Sequence, residues 1–139
     1  VSAMRNDHPP VVDTYALRFD VGGKSVAFSG DTRYAPRLAG FAKNSDILVH
    51  EAMLANGLDY VLAKTKTGDD RLKNHLLAAH SFAEQAGQIA ATANVKHLVL
   101  NHLIPPERDI CSDADWQAET GRSFNGRCSV GHDGMAIEF

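Results

Sequence analysis

Cysteine is scarce in this chain. Its 139 residues hold two, Cys111 and Cys128, both in the last quarter. They lack Cys-x-x-Cys spacing, which excludes a zinc knuckle or a dithiol redox motif of that form. Two free thiols in an intracellular, cytoplasmic protein are the default reading, and a Cys111–Cys128 bridge would instead point to an exported one. No apolar run approaches the roughly 20 residues of a membrane span, so no membrane is expected among the partners. No secretory signal opens the chain, and neither does an initiator Met: it begins Val1-Ser2-Ala3, as expected of a piece of a longer protein. Basic residues do not exceed acidic ones; 14 against 17 leave a net charge of −3. That excludes a nucleic-acid grip by a broad basic surface, though not a nucleic-acid substrate bound at a metal. Internal repeats and low-complexity tracts are also missing.

What is present suffices for one domain over residues 1–139. A chain of this length buries about two-thirds of its unfolded surface, and 44% of its residues are apolar. Residues 14–21 alternate, with Tyr15, Leu17, Phe19 and Val21 on one face, which is strand periodicity. Gly22-Gly23 makes a tight turn and residues 24–28 return, so a β-hairpin is expected, its second strand buried through Val26 and Phe28. That strand runs into Ser29-Gly30 and delivers Asp31 and Thr32. A carboxylate at such an exit either caps a turn or is a placed ligand.

Pro36 opens a short helix with Leu38, Phe41 and Ala42 at helical spacing. Ile47-Leu48-Val49 is the next strand, with His50-Glu51 at its exit in a capping or ligand-orienting role. Residues 54–75, charged and broken by Gly57 and Gly68, read as a mobile loop with short helical pieces. Ser81-Phe82-Ala83-Glu84 has the form of a capping box, starting a helix over residues 82–93 with a small-residue face. A strand over residues 95–101 leads to His102. A helix over 113–120 is anchored by Trp116, and residues 127–130 and 135–139 are expected to pair as a closing hairpin. The alternation is that of an α/β domain. Of the remaining histidines, His8 lies in an irregular lead-in, held extended by the prolines after it. His75 and His97 read as surface positions and His132 as a turn residue.

In order, these pieces are His8, Ser29-Gly30-Asp31-Thr32, Asp46-Ile47-Leu48-Val49-His50-Glu51-Ala52, His80-Ser81 with Glu84, and Leu98-Val99-Leu100-Asn101-His102-Leu103-Ile104-Pro105. The set resembles the C-terminal half of the metallo-β-lactamase fold, in the branch of the tRNA 3′-processing ribonuclease and arylsulfatase-like hydrolases. The resemblance implies the second αβ half of a four-layer αββα sandwich, a mixed sheet with helices on one face. It implies a metal-dependent hydrolase of phosphodiester or sulfate-ester type, acting through two Zn²⁺ ions, or Mn²⁺ or Fe, on a small-molecule or phosphodiester substrate. Carried over residue by residue, His8 is a ligand of the first metal, Asp31 bridges both, and His102 is a ligand of the second. His80 is a catalytic histidine off the metals that assists the leaving group.

Two departures accompany the resemblance. Such enzymes carry a His-x-His-x-Asp-His cluster, and no two histidines here are spaced His-x-His. The N-terminal half of the fold is then a missing partner, and this chain alone is expected to be inactive. Phe28 also stands three residues before Asp31, where the ribonuclease branch has a glutamate that partners the His80-type residue. The alternative to a hydrolase is a non-catalytic binding or assembly module that kept the fold. A sheet face without its other half is expected to be covered by self-association, a homodimer included.

Overall fold

The structure, a computed structural model, describes residues 1–65 and 70–139. One six-stranded sheet runs in chain order: β1 (Ser2–Arg5), β2 (Tyr15–Val21), β3 (Lys24–Phe28), β4 (Ile47–Met53), β5 (His97–Ile104) and β6 (Arg127–Val130). The pairs β1–β2 and β2–β3 are antiparallel, and β3 through β6 are parallel. Two antiparallel reversals leave β1 pointing the same way as β3, so β1, β3, β4 and β5 all exit at one edge. The helices are α1 (Arg37–Phe41), α2 (Leu58–Thr65), α3 (Arg71–Ala79), α4 (Ala83–Ala93) and α5 (Asp113–Thr120).

The mixed α/β sheet with a helical layer is as expected. The core lies between the sheet and α1, α4 and α5. Ala16, Ala27, Leu48, Leu98 and Leu100 meet Leu38, Ile89, Trp116 and the small face of α4. That small face permits close approach. A Cβ on Gly87 would stand 2.7 Å from the Thr120 carbonyl oxygen, so α4 and the end of α5 touch through backbone. Trp116 anchors α5 at 1% exposure.

Local signals mislocated several elements. Residues 2–5 form an edge strand, where an irregular lead-in was expected. The β4 strand does not end before His50 but continues to Met53, burying His50 and Glu51 within it. The short helical pieces expected over 54–75 are present among the described residues as a 3₁₀ turn at Ala55–Gly57, α2 and the start of α3, and Leu58, Leu76 and Met53 form a small second core there. Gly68, expected to break that stretch, lies outside the described residues. The capping residue shifts by one: the Ser81 hydroxyl is engaged at 2.7 Å with the Thr32 carbonyl, and Gln85 accepts from the Phe82 N–H at 2.9 Å. The closing hairpin does not form. β6 pairs in parallel with β5, and residues 135–139 are not a strand. His97 is buried, 2.9 Å from the Ser129 hydroxyl, and not a surface residue.

The apolar side of the hairpin is on the sheet face expected to lack its other half, and Phe28, expected to be buried in β3, is exposed there. Ala16, Ser25 and Ala27 face the helices, while Tyr15, Leu17, Phe19 and Phe28 are each more than a third exposed. Leu17, Phe28, Val49 and Val99 stand in register across four strands, an apolar row on the face away from the helices. At the β5 end the row is covered, since Val99 is buried beneath the segment after β6, where Gly131 donates to the Leu100 carbonyl at 2.8 Å. At the hairpin end it is bare. Bare patches of this kind drive association. The pair substitution Leu17→Asp with Phe28→Asp is expected to shift the chain toward monomer in sedimentation velocity.

Asp46 clips β3 to β5. Its carboxylate accepts from the Ser25 N–H at 2.8 Å and pairs with Lys96 at 2.7 Å. The Lys96 contact and then the Ser25 N–H lower its pKa from 3.8 to about 2. Because the folded pKa is depressed, this stabilisation is fully present above about pH 4 and is lost as pH falls toward 2. Asp46→Asn is therefore expected to be less stable than the parent at neutral pH, the gap closing in acid denaturation followed by circular dichroism.

Candidate functional site

His8 and Asp31 follow the exits of β1 and β3, His102 lies near the end of β5 and His80 ends α3, and all four meet at one sheet edge, the place where open α/β sheets bind ligands. Asp31 follows β3 on a turn that needs Gly30, whose φ is +61° and whose Cβ would lie 2.8 Å from the Tyr15 carbonyl oxygen. His102 lies inside β5 and not after it. It has φ +43° beside a register shift between Glu51 and Ala52, an irregularity of the kind that re-aims a side chain. The His8 segment is tied to the Asp31 loop. Arg33 N–H donates to the Asp7 carbonyl at 2.8 Å, the Asn6 amide donates to the Ser29 carbonyl, and Arg37 pairs with Asp7 at 2.9 Å.

These elements bring the groups together. Asp31 Oδ2 is 3.4 Å from His102 Nε2, both side chains partly open to solvent. The His102 ring stacks on His80 at 5.4 Å between centroids, and His80 meets His8 edge-on at 5.0 Å. His8 Nδ1 lies 2.9 Å from the Ala79 carbonyl, to which only an N–H can bond, so its Nε2 carries the free lone pair. A cleft of about 730 Å³ opens beside His102, lined among others by Val99, Arg108, His132 and Met135.

Glu51 stands closer to the candidate site than its reading as a strand-exit residue implied. It is 1% exposed, and its Oε1 accepts from the backbone N–H groups of Thr32 and Ser81, each at 3.1 Å. The same oxygen is 3.3 Å from His80 Nδ1. Burial pulls the His80 pKa down, but the Glu51 carboxylate, with Asp31 farther off, more than reverses this and leaves it raised. The carboxylate beside His80 is thus one from β4 and not one placed three residues before Asp31. The available signal was that Glu51 and His50 follow the apolar run Ile47-Leu48-Val49, and an unpaired carboxylate would not be tolerated in the core. His50 is the neutral counterpart: complete burial lowers its pKa, and its Nδ1 is 2.6 Å from the Glu51 carbonyl. His75, read as a surface residue, is exposed yet approaches both His8 and His80, with ring centres 6.0 Å from each. Cys111 and Cys128 are free thiols, and no described helix is long and apolar enough to cross a membrane.

No protein-family model matches the chain. Ribonuclease Z of Mycobacterium tuberculosis (strain H37Rv) is 32% identical over 132 residues, covering 95% of this chain and 45% of that protein. Among solved structures, the metallo-beta-lactamase fold protein YhfI from Bacillus subtilis superposes with a TM-score of 0.73 at 23% identity, covering 99% of this chain and 48% of the other. Zn(2+)-bound PqqB from Methylobacterium extorquens gives 0.61 at 19% identity, covering 93% and 42%. The chain spans about half the length of the curated relatives it matches. In sequence the chain is similar to ribonuclease Z, and its fold is that of the metallo-beta-lactamase fold proteins.

Proposed function

We propose that this chain carries one half of the active site of a metal-dependent phosphodiester hydrolase. The observation behind this reading is the arrangement of His8, Asp31, His80 and His102 around one strand edge, with a buried carboxylate behind the one histidine assigned to the substrate. The donor set fits a divalent metal pair. Two ligands on one zinc ion, with bonds of about 2 Å, lie roughly 3.0–3.5 Å apart, and Asp31 Oδ2 and His102 Nε2 are 3.4 Å apart. Fixing His8 through Nδ1 on a backbone carbonyl is the usual way a ligand histidine is oriented.

His8 and His102 would each hold one ion and Asp31 both, and zinc is the natural choice for imidazole and carboxylate, with Mn²⁺ or iron as alternatives. Bound there, the metals supply a water acidic enough to act as nucleophile and polarise the scissile ester. The Glu51 carboxylate, 3.3 Å from His80 Nδ1, favours the protonated ring, so His80 can present a proton at Nε2 to the leaving oxygen. The remaining ligands come from a partner segment corresponding to the length of the relatives that this chain does not span, and alone it is inactive. The Glu51–His80 pair removes the objection raised by Phe28. Together with the ribonuclease Z relatives, it favours an RNA-type phosphodiester over a sulfate ester.

The test uses the complete protein, stripped with a chelator and reloaded with Zn²⁺. Bis(p-nitrophenyl) phosphate cleavage should vanish and return with metal, while p-nitrophenyl sulfate stays intact. Cleavage of the sulfate alone would overturn the phosphodiester assignment. A metal-loaded protein that cleaves neither would leave the binding-module reading.

A further inference from the structure

The geometry points to a zinc site that this chain builds without any partner segment, formed by His8, His75 and His80. One ring nitrogen from each of the three lies within 4.8 Å of those of the other two. The rings are nearly perpendicular in pairs: 75° between His8 and His75, 72° between His8 and His80, and 90° between His75 and His80. Their centres are 6.0, 5.0 and 6.0 Å apart, in the same order. Three imidazoles around one tetrahedral ion, with Zn–N bonds of about 2 Å, have ring centres roughly 5 Å apart. Turning one nitrogen of each ring toward a common point would close the cluster to that arrangement, and His75, exposed on α3, is free of core packing that would resist it.

A second observation concerns the Nδ1 atoms of His8 and His80. His8 Nδ1 is held at 2.9 Å by the Ala79 carbonyl, and His80 Nδ1 faces Glu51 Oε1 at 3.3 Å. Ligand histidines in metal sites are typically oriented in this way, by a carbonyl or a carboxylate on the nitrogen that does not bind the metal. Three neutral imidazoles gathered together also favour a borderline-soft cation such as zinc over magnesium or calcium.

This site is not the pair assigned to Asp31 and His102. His8 has one free nitrogen and can serve either arrangement, not both. The site itself does not depend on the hydrolase reading. Its consequence does: an ion here takes His8 from the proposed metal pair and blocks the His80 nitrogen, so the site is inhibitory and fills when zinc is in excess.

Metal binding to the 139-residue chain tests the proposal, with Zn²⁺ in competition against a chromophoric chelator and Co²⁺ followed by its visible ligand-field bands. The parent should bind one ion with the bands of a four-coordinate imidazole site. His75→Ala should weaken binding roughly a hundredfold, since even outer partners of such ligands are worth about 10–100-fold. In the Asp31→Ala, His102→Ala double variant, bound Co²⁺ should still show the bands of an imidazole site. Unchanged affinity in His75→Ala, or loss of the ion in the double variant instead, overturns the site. Neither result touches the hydrolase reading, which is decided by ester cleavage in the complete protein.

Discussion

Asp31→Ala in the complete protein is expected to abolish turnover and to lower metal content, because on the proposed reading it removes the only ligand common to both ions. His102→Ala should deplete mainly one ion. His80→Ala should leave the metal pair in place but slow phosphodiester cleavage about a hundredfold or more, the loss expected when a proton-transfer group is removed. Metal analysis beside kinetics on the same three variants separates the roles. If His80→Ala lost the pair as Asp31→Ala does, His80 would be one of its ligands and not the acid. If all three kept full activity, the hydrolase reading would fall. Folding should not confuse the comparison at Asp31 and His102, which are both partly exposed and lie outside the core.

The elements legible in the sequence were those that local chemistry decides. Tyr15 to Phe28 alternates around Gly22-Gly23, and those glycines take φ of +59° and +79°, so the hairpin forms where the pattern places it. Trp116 in a short polar helix marks an anchor, and the small residues of α4 mark a close-packed face. What was not legible depends on distant partners. Alternation gives two faces but not which one meets the helices, and in β2 and β3 the smaller residues, Ala16 and Ala27, join the core with Leu38 and Ile89. β1 has no β-branched residue and exists only through its pairing with β2. The tail over 135–139 looks like a strand by composition, yet Met135 and Ile137 line the cleft beside β5.

The site divides in the same way. The order of Asp31, His80 and His102 along the chain was readable as a family pattern, and so was His8 from the resemblance. The irregularity that turns His102 out of β5 was not, because a register shift arises from pairing with β4. Nor was the approach of His75, which depends on α3 running back toward the His8 segment and lies 67 residues from its partner in sequence.

Glu51 is where the fold and the proposed chemistry meet, and two substitutions there are expected to part. Glu51→Ala strands the buried N–H groups of Thr32 and Ser81, which hold the Asp31 loop and the start of α4. Each buried donor left without a partner costs about 1–3 kcal/mol, so a loss of roughly 3 kcal/mol is expected in urea denaturation. Glu51→Gln keeps an oxygen for both donors and should retain most of that stability. It removes the charge, however, and the burial that lowers the His80 pKa is then no longer outweighed. An acid is lost as pH rises through its pKa, so the alkaline limb of the pH–rate profile should move to lower pH in Glu51→Gln of the complete protein. A variant as unstable as Glu51→Ala would mean that charge, not hydrogen-bond acceptance, holds the two loops. A stable variant with an unmoved alkaline limb would mean that Glu51 braces the fold without tuning His80.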